Sequence, residues 1–181
     1  MNRTTLFARL LLALCCAAPA AAAGAATDAV DPADAERYRG ERAYLQLIEE
    51  IESHRGAYAG DLSEPLLSLG LSLQAQNRHP EAIAVFKRGV HLTRVNDGLY
   101  STRQIPLLQG EISSLISTGD YAEADERQRY LYRVQVRSLD SGEPMTSALM
   151  QQADWQFEAF QLGLGPQGYT RLMNMWDLYR L

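Results

Sequence analysis

Residues 119–124 (GDYAEA) separate two segments whose apolar residues recur at helical spacing, and this stretch decides the fold. Residues 77–82 (NRHPEA) show the same order of a turn followed by Glu-Ala, which places Ala82 and Ala124 42 residues apart. Each stretch is typical of a short turn between two helices. The repetition therefore predicts helical hairpins stacked along the chain.

Apolar spacing and turn residues predict seven helices. Three residue pairs have the spacing of a capping box and mark helix starts: Asp61 with Glu64, Ser101 with Gln104, and Asp120 with Glu123. The predicted helices cover about residues 35–54, 61–76, 81–91, 101–116, 120–138, 145–160 and 168–181. Asn96-Asp97-Gly98 is the strongest turn signal. No segment alternates strictly between apolar and polar residues, so the predicted fold class is all-α.

The helix before the first turn contains Leu69-Gly70, and the second turn begins with the G-x-Y-x-E-A pattern of residues 119–124. These features resemble the tetratricopeptide repeat (TPR) family, and the longer period is similar to the extended repeats of kinesin light chains and many bacterial relatives. The resemblance implies antiparallel helix-turn-helix repeats stacked as a short right-handed solenoid over residues 35–181. A third, degenerate unit would begin near Leu149. A generic helical bundle is the alternative interpretation.

Small residues at four positions are predicted to let helix backbones approach closely, namely Gly70, Ala82, Gly89 and Ala124. Large side chains such as Phe86 are expected to fill the space between neighbouring helices. This alternation of small and large residues is the packing expected of stacked hairpins.

The first 23 residues have the three parts of a secretory signal peptide: a basic start, a short apolar run over residues 10–18, and an alanine-rich cleavage zone. The apolar run is shorter than the roughly 20 residues of a membrane-spanning helix, so no stable membrane anchor is expected. Cleavage is predicted after Ala23, with Ala25 as a second site. Cys15 and Cys16 both fall in this segment, and a lipoprotein signal there is the less favoured interpretation. The expected location is periplasmic or secreted.

The mature chain is predicted to be acidic. Its 17 Lys and Arg residues fall to 15 without the signal peptide, against 22 Asp and Glu, for a net charge of about −7. No nucleic acid is expected as a partner, because such binding depends on neutralising phosphates with basic residues. Residues 24–34 are small and polar and are predicted to form a flexible leader.

In the TPR family, the first helices of successive repeats line a concave groove that holds an extended peptide or a partner helix. The resemblance implies these groove positions in the first unit: Glu64, Leu67, Leu71, Gln74 and Ala75. In the second and third units they are Gln109, Ser113, Ile116 and Ser117, then Met150, Asp154, Phe157 and Glu158. Leu67 and Leu71 stand where the family's carboxylate clamp uses Lys and Asn, so that adaptor role is not expected. Alternatively, both leucines pack against the N-terminal helix, which would then fill the groove.

Two further surfaces are candidates for binding. Arg129, Arg133 and Arg137 form a stripe on the fifth helix that suits an acidic or phosphate-bearing ligand. Asp125 lies four residues before Arg129, and a solvated, salt-bridged face is the favoured interpretation.

The last helix carries the second surface, an apolar stripe of Tyr169, Leu172, Met173, Trp176 and Tyr179. Repeat arrays normally end with a polar capping helix, because an uncovered last repeat exposes apolar surface. We therefore expect a second copy of the chain or a partner to cover this stripe. Packing against the sixth helix alone is the alternative.

The sequence contains no recognisable catalytic motif. The three histidines lack metal-ligand spacing and no phosphate-binding or dinucleotide-binding loop is present, so neither metal nor cofactor is expected. The expected function is a non-catalytic scaffold of the bacterial envelope that binds a protein or peptide. The alternative is an accessory or catalytic domain in cell-wall glycan processing, for which Glu158 beside Trp155, Phe157 and Phe160 is the one acid in an aromatic setting.

Overall fold

The computed structural model describes residues 32–165 and 168–180, and every regular element in these ranges is helical. The helices are α1 Pro32–Arg55, α2 Ser63–Ala75, α3 His79–Asp97, α4 Gln104–Thr118, α5 Tyr121–Ser138, α6 Glu143–Gln161 and α7 Gly168–Tyr179, with a 3-10 turn at Gly60–Leu62. The all-α prediction is confirmed. The predicted signal peptide, most of the predicted leader, and the end of the chain at Leu181 lie outside the described residues.

Consecutive helices form hairpins that stack on one another. Helices α2 and α3, α4 and α5, and α6 and α7 pack as pairs, while α3 packs on α4 and α5 on α6 to join the pairs. The starts of α3 at His79 and α5 at Tyr121 are 42 residues apart, which matches the offset seen in the sequence. The described chain is therefore a repeat-like stack of antiparallel helices.

The core centres on Phe86, which is fully buried. Its ring lies against the backbones of two glycines, Gly70 on α2 and Gly110 on α4. A Cβ at Gly110 would come within 2.5 Å of the ring, and one at Gly70 would overlap it too. Gly89 on α3 is packed as closely against Leu107, at 2.6 Å from an added Cβ. The predicted close approach at Gly70 and Gly89 is confirmed, and Gly110 extends it to α4.

The helix starts differ from the capping boxes that the sequence suggested. None of α2, α4 and α5 has a side-chain hydrogen bond at its N-cap. Asp61 lies in the 3-10 turn and pairs with Arg55. Gln104 turns back to donate to the carbonyls of Gly98 and Leu99. The carboxylate of Asp120 accepts from the Thr118 hydroxyl at 2.9 Å. Asp61, Gln104 and Asp120 thus bond a loop or a neighbouring residue instead of the start of their own helix.

Helices α1 and α3 are longer than predicted. Helix α1 begins at Pro32 and not at Ala35. Helix α3 continues to Asp97, six residues past the predicted end at His91, and stops at Gly98, whose φ of 96° suits glycine. No helix among the described residues is long and apolar enough to cross a membrane.

Candidate functional site

Helices α2 and α4 pack directly, whereas α4 and α6 stand apart. In the described chain no Cα of α4 comes within 8 Å of a Cα of α6, although both helices pack on α5. A groove of about 780 Å³ opens between them, with α5 as its floor; we call it the α4–α6 groove. Its apolar lining includes Ile105, Ile112, Ile116, Leu139, Met150 and Trp155, and its polar lining includes Gln109, Gln128, Gln135, Gln151, Asp154 and Glu158.

The 42-residue offset explains this gap. Gln128 on α5 takes the position of Phe86 on α3, and Ile112 on α4 takes that of Gly70 on α2. Phe86 buries its ring between two glycines, whereas Gln128 ends in an amide that an apolar contact would deprive of hydrogen bonds. Helix α6 contains no glycine, so it lacks the flat surface that Gly110 gives α4. The side chain that joins α2 to α4 therefore has no counterpart between α4 and α6.

Two buried glutamines face the groove from its floor. Gln128 and Gln135 are each only 4% exposed, and their spacing of seven residues puts them on one face of α5. Gln135 Nε2 donates to Gln151 Oε1 at 3.3 Å. No described residue forms a hydrogen bond with the amide of Gln128. The amide of Gln128 is also not among the described side-chain groups that are buried without a partner, so it is open to the groove. A hydrogen bond between a ligand and this amide contributes about 0.5–1.5 kcal/mol net.

The charged residues of the groove are both acidic. Asp154 and Glu158 lie one helical turn apart on the α6 wall, and both are exposed. The Tyr179 hydroxyl donates to Asp154 Oδ1 at 2.7 Å, which raises the pKa of Tyr179. No Lys or Arg is among the described residues that line the groove, and neither acid forms an ion pair there. The groove is therefore electronegative.

The predicted groove residues of the second and third units come together here. Those that line the α4–α6 groove, or a smaller adjoining cavity of about 290 Å³, are Gln109, Ser113, Ile116, Ser117, Met150, Asp154 and Glu158. Phe157 is exposed and lies outside this lining. Helices α4 and α6 thus form the two opposite walls of the α4–α6 groove.

The predicted positions of the first unit lie elsewhere. Gln74 Nε2 donates to Gly110 O at 2.9 Å and to Ser114 Oγ at 2.8 Å, so this side chain joins α2 to α4. Leu67 is half-buried against the main core. Glu64, Leu71 and Ala75 are exposed and do not line the α4–α6 groove. The first unit therefore presents a closed junction.

Helix α1 leaves the groove open. It packs on α2 and on the 3-10 turn, with no Cα of its described residues within 8 Å of α4, α5 or α6. Ion pairs hold it to the neighbouring hairpin, with Glu41 bonded to Arg78 at 2.7 Å and Glu52 bonded to Arg88. Helix α1 therefore packs on the first unit and does not enter the α4–α6 groove.

The glutamines of the floor escaped the sequence analysis. Gln128 and Gln135 share the buried face of α5 with Ala124 and Leu131. An amide inside an apolar stripe is the signal that could have found them, since a buried polar group needs a partner. The groove positions implied by the TPR resemblance are on first helices only and therefore do not include α5.

The arginine stripe divides into paired and unpaired members. Arg129 pairs with Asp125 at 3.2 Å, as predicted. The guanidinium of Arg133 lies 5.7 Å from the ring centroid of Tyr130, and that of Arg137 lies 4.6 Å from the ring centroid of Tyr100. Neither Arg133 nor Arg137 forms an ion pair within the described ranges. The salt-bridged interpretation therefore holds for one of the three arginines, and the other two stack on aromatic rings.

Glu111 is a buried acid that the sequence analysis missed. Its side chain on α4 is fully buried, and burial raises its pKa to about 7 despite the nearby Arg127. Arg127 Nε lies 2.9 Å from Glu111 Oε1, but neither carboxylate oxygen accepts an aligned hydrogen bond. Glu111 lies outside the lining of the α4–α6 groove. The buried carboxyl of Glu111 is therefore expected to affect the stability of the fold and not the binding of a ligand in the groove.

Asp125 anchors the last helix. Arg171 on α7 donates to both oxygens of Asp125, at 3.1 and 2.8 Å, and Trp155 Nε1 donates to Oδ1 at 2.9 Å. Burial opposes ionisation of Asp125, but these hydrogen bonds outweigh it and lower its pKa. The apolar stripe of α7 is only partly covered, with Leu172 half-buried while Met173 and Trp176 are exposed.

The described residues form a small all-α stack of helical hairpins, and the floor of the groove between α4 and α6 carries two glutamine side chains. No protein-family model matches the chain, and no curated protein matches it. Among the described residues, no group of three or more His, Cys, Asp or Glu side chains could hold a metal ion.

Proposed function

We propose that this protein is a non-catalytic scaffold of the bacterial envelope whose α4–α6 groove binds an extended segment of a partner protein. The observation that carries the proposal is the Gln128 amide, which bonds no described residue and is open to the floor of a groove between two separated helices. The sequence resemblance to TPR proteins supports the same type of ligand. The signal-peptide pattern of residues 1–23 supports the location.

The lining suits an extended chain. Each glutamine amide can both donate and accept a hydrogen bond, as a peptide bond does. Seven residues of helix separate Gln128 from Gln135, a rise of about 10.5 Å, which equals about three residues of an extended strand. Ile112, Ile116 and Met150 offer apolar contacts beside these amides. The floor would therefore bond the ligand backbone while the walls contact its side chains.

A crosslinking pull-down from envelope extract with Met150→Asp and Leu71→Asp tests the proposal. Both side chains are exposed to a similar extent, at 54% and 50%, but only Met150 lines the α4–α6 groove. We expect a partner that the wild type captures to be lost with Met150→Asp and kept with Leu71→Asp. Loss with Leu71→Asp alone would move binding to α2, and retention by both variants would refute the groove as the binding site.

Glycan processing is the second candidate, because Asp154 and Glu158 share one groove with Trp155. A general acid of this chemistry works best when it is shielded from water. Glu158 is exposed, which favours the scaffold. Release of soluble fragments from purified cell wall by the wild type, abolished by Glu158→Gln, would instead establish an enzyme.

A further inference from the structure

The charge of the α4–α6 groove restricts what the proposed partner can be. Asp154 and Glu158 are one turn apart on α6, and like charges at this spacing repel each other. The facing residues on α4 and α5 that line the groove are uncharged, so nothing on the opposite wall or the floor offsets the two carboxylates. A cation placed between them would remove this repulsion.

Hydrogen-bond capacity adds a second restriction. Asp154 uses one carboxylate oxygen to accept from Tyr179, which fixes the side chain on the wall and leaves the other oxygen for a ligand. The Glu158 side chain forms no hydrogen bond with any described residue. On the floor, Gln128 is 4% exposed and its amide, which is open to the groove, bonds no described residue. Charged acceptors on the wall and an amide on the floor therefore face the same space.

We propose that the groove selects an extended segment with a Lys or Arg side chain placed between Asp154 and Glu158, while Gln128 hydrogen-bonds the backbone of that segment. This inference rests on the proposed function and adds the chemistry of the partner to it. The cation supplies specificity through charge, and the amide supplies affinity that is independent of sequence. Apolar residues of the segment contact Met150 and Ile116 on either side.

The experiment is a selection from a phage-displayed library of random decapeptides with the purified wild-type protein. Selected peptides are then measured by fluorescence anisotropy against Asp154→Asn/Glu158→Gln. The matched control is Glu49→Gln/Glu50→Gln, which removes two exposed charges from α1, outside the groove. Circular dichroism checks that each variant keeps its helical content.

We expect Lys or Arg to be enriched at one position of the selected peptides. The Asp154→Asn/Glu158→Gln variant should raise their Kd about tenfold at low salt, the size expected of two exposed ion pairs, and the α1 control should leave Kd unchanged. Replacing the enriched basic residue of the peptide by Gln should weaken binding to the wild type by a similar factor and have little further effect on the variant.

Gln128→Leu should weaken every selected peptide about fivefold, whatever its charge, since it removes a backbone hydrogen bond. Peptides that bind without basic enrichment, or that ignore the loss of both acids, would overturn the charge inference and leave the groove proposal standing. Selection of no peptide above a protein-free control would overturn both.

Discussion

The junction between α2 and α4 is closed, and the junction between α4 and α6 is open, although both pairs occupy equivalent places in the repeat. At the closed junction, Phe86 sits between Gly70 and Gly110, and Gln74 bonds across to α4. At the open junction, Gln128 replaces the phenylalanine and Ile112 replaces the first glycine. A few side chains at repeat-equivalent positions thus decide whether neighbouring hairpins form core or groove.

Because of this difference, the two junctions contribute differently to the protein: one to its stability, the other to an accessible polar surface. The closed junction contributes apolar burial and is expected to supply much of the stability. The open junction keeps polar groups in an accessible space and gives up that burial. Such a division is common where binding sites are less stable than the scaffold that supports them.

The largest effect should follow from breaking the closed junction with Phe86→Ala. Loss of a fully buried aromatic ring between two helix backbones is expected to lower the free energy of unfolding by about 3–5 kcal/mol. Urea unfolding followed by circular dichroism measures it. Phe157→Ala is the matched control, because Phe157 is exposed on α6 and its removal should change stability by roughly 0.5 kcal/mol or less. Equal effects would show that Phe86 does not hold α2 to α4.

The next effect concerns α4, the helix that both junctions share. Glu111 has its pKa raised to about 7 by burial, so the folded protein holds this proton more tightly than the unfolded chain does. Its contribution to stability is therefore fully present below the ordinary pKa of about 4.5 and is lost as pH rises through 7. Glu111→Gln should flatten that dependence and stabilise the protein at pH 8 by about 3 kcal/mol.

Unfolding free energies at pH 5, 6, 7 and 8 for the wild type and Glu111→Gln measure this difference. Glu126→Gln is the control, since Glu126 is exposed on α5 and its replacement should leave the pH dependence unchanged. Parallel curves for the wild type and Glu111→Gln would mean that Glu111 stays ionised and paired with Arg127 throughout.

A smaller effect is expected when the closed junction is crowded by Gly110→Ala. The added methyl would overlap the Phe86 ring, and overpacking of this kind costs about 1–3 kcal/mol, partly offset by the better helix propensity of alanine. Gly40→Ala on α1 is the matched control, since nothing lies within 4 Å of its added Cβ, and it should stabilise by about 0.5–1 kcal/mol. Thermal unfolding of both variants measures the two changes in stability. A rise in stability in both variants would mean that the Phe86 ring moves aside for the added methyl group at no energetic cost.

The sequence was sufficient for the number and order of the helices and for the close packing at Gly70 and Gly89. Helix α5 was predicted to within one residue at its start, because Gly119 adopts a left-handed φ of 82° and ends α4. Gly70 and Gly89 were recognisable because only small residues allow helix backbones to touch. Turn glycines and small residues at helical spacing can be recognised from one sequence without knowledge of the tertiary structure.

The open junction was not predictable in the same way. The positions implied by the TPR resemblance identified its walls, such as Gln109 and Met150, but not its floor at Gln128. The gap exists because no buried ring joins α4 to α6. Such a missing contact is recognised only when the two repeats are aligned and compared residue by residue. The capping boxes were wrong for another reason, since the side chains bond residues of the adjoining turns instead of the helix start, as the contact of Asp61 with Arg55 illustrates.

The smallest effect on stability tests the open junction itself, through Gln128→Leu. If the amide of Gln128 has no partner in the folded protein, its replacement by an apolar side chain of similar size breaks no hydrogen bond within the fold. The free energy of unfolding should then stay the same or rise by up to about 1 kcal/mol in urea unfolding, while peptide affinity falls. A loss of stability above about 1 kcal/mol would mean that the amide is already satisfied within the fold, and the groove would then have no unmet hydrogen bond with which to select a ligand.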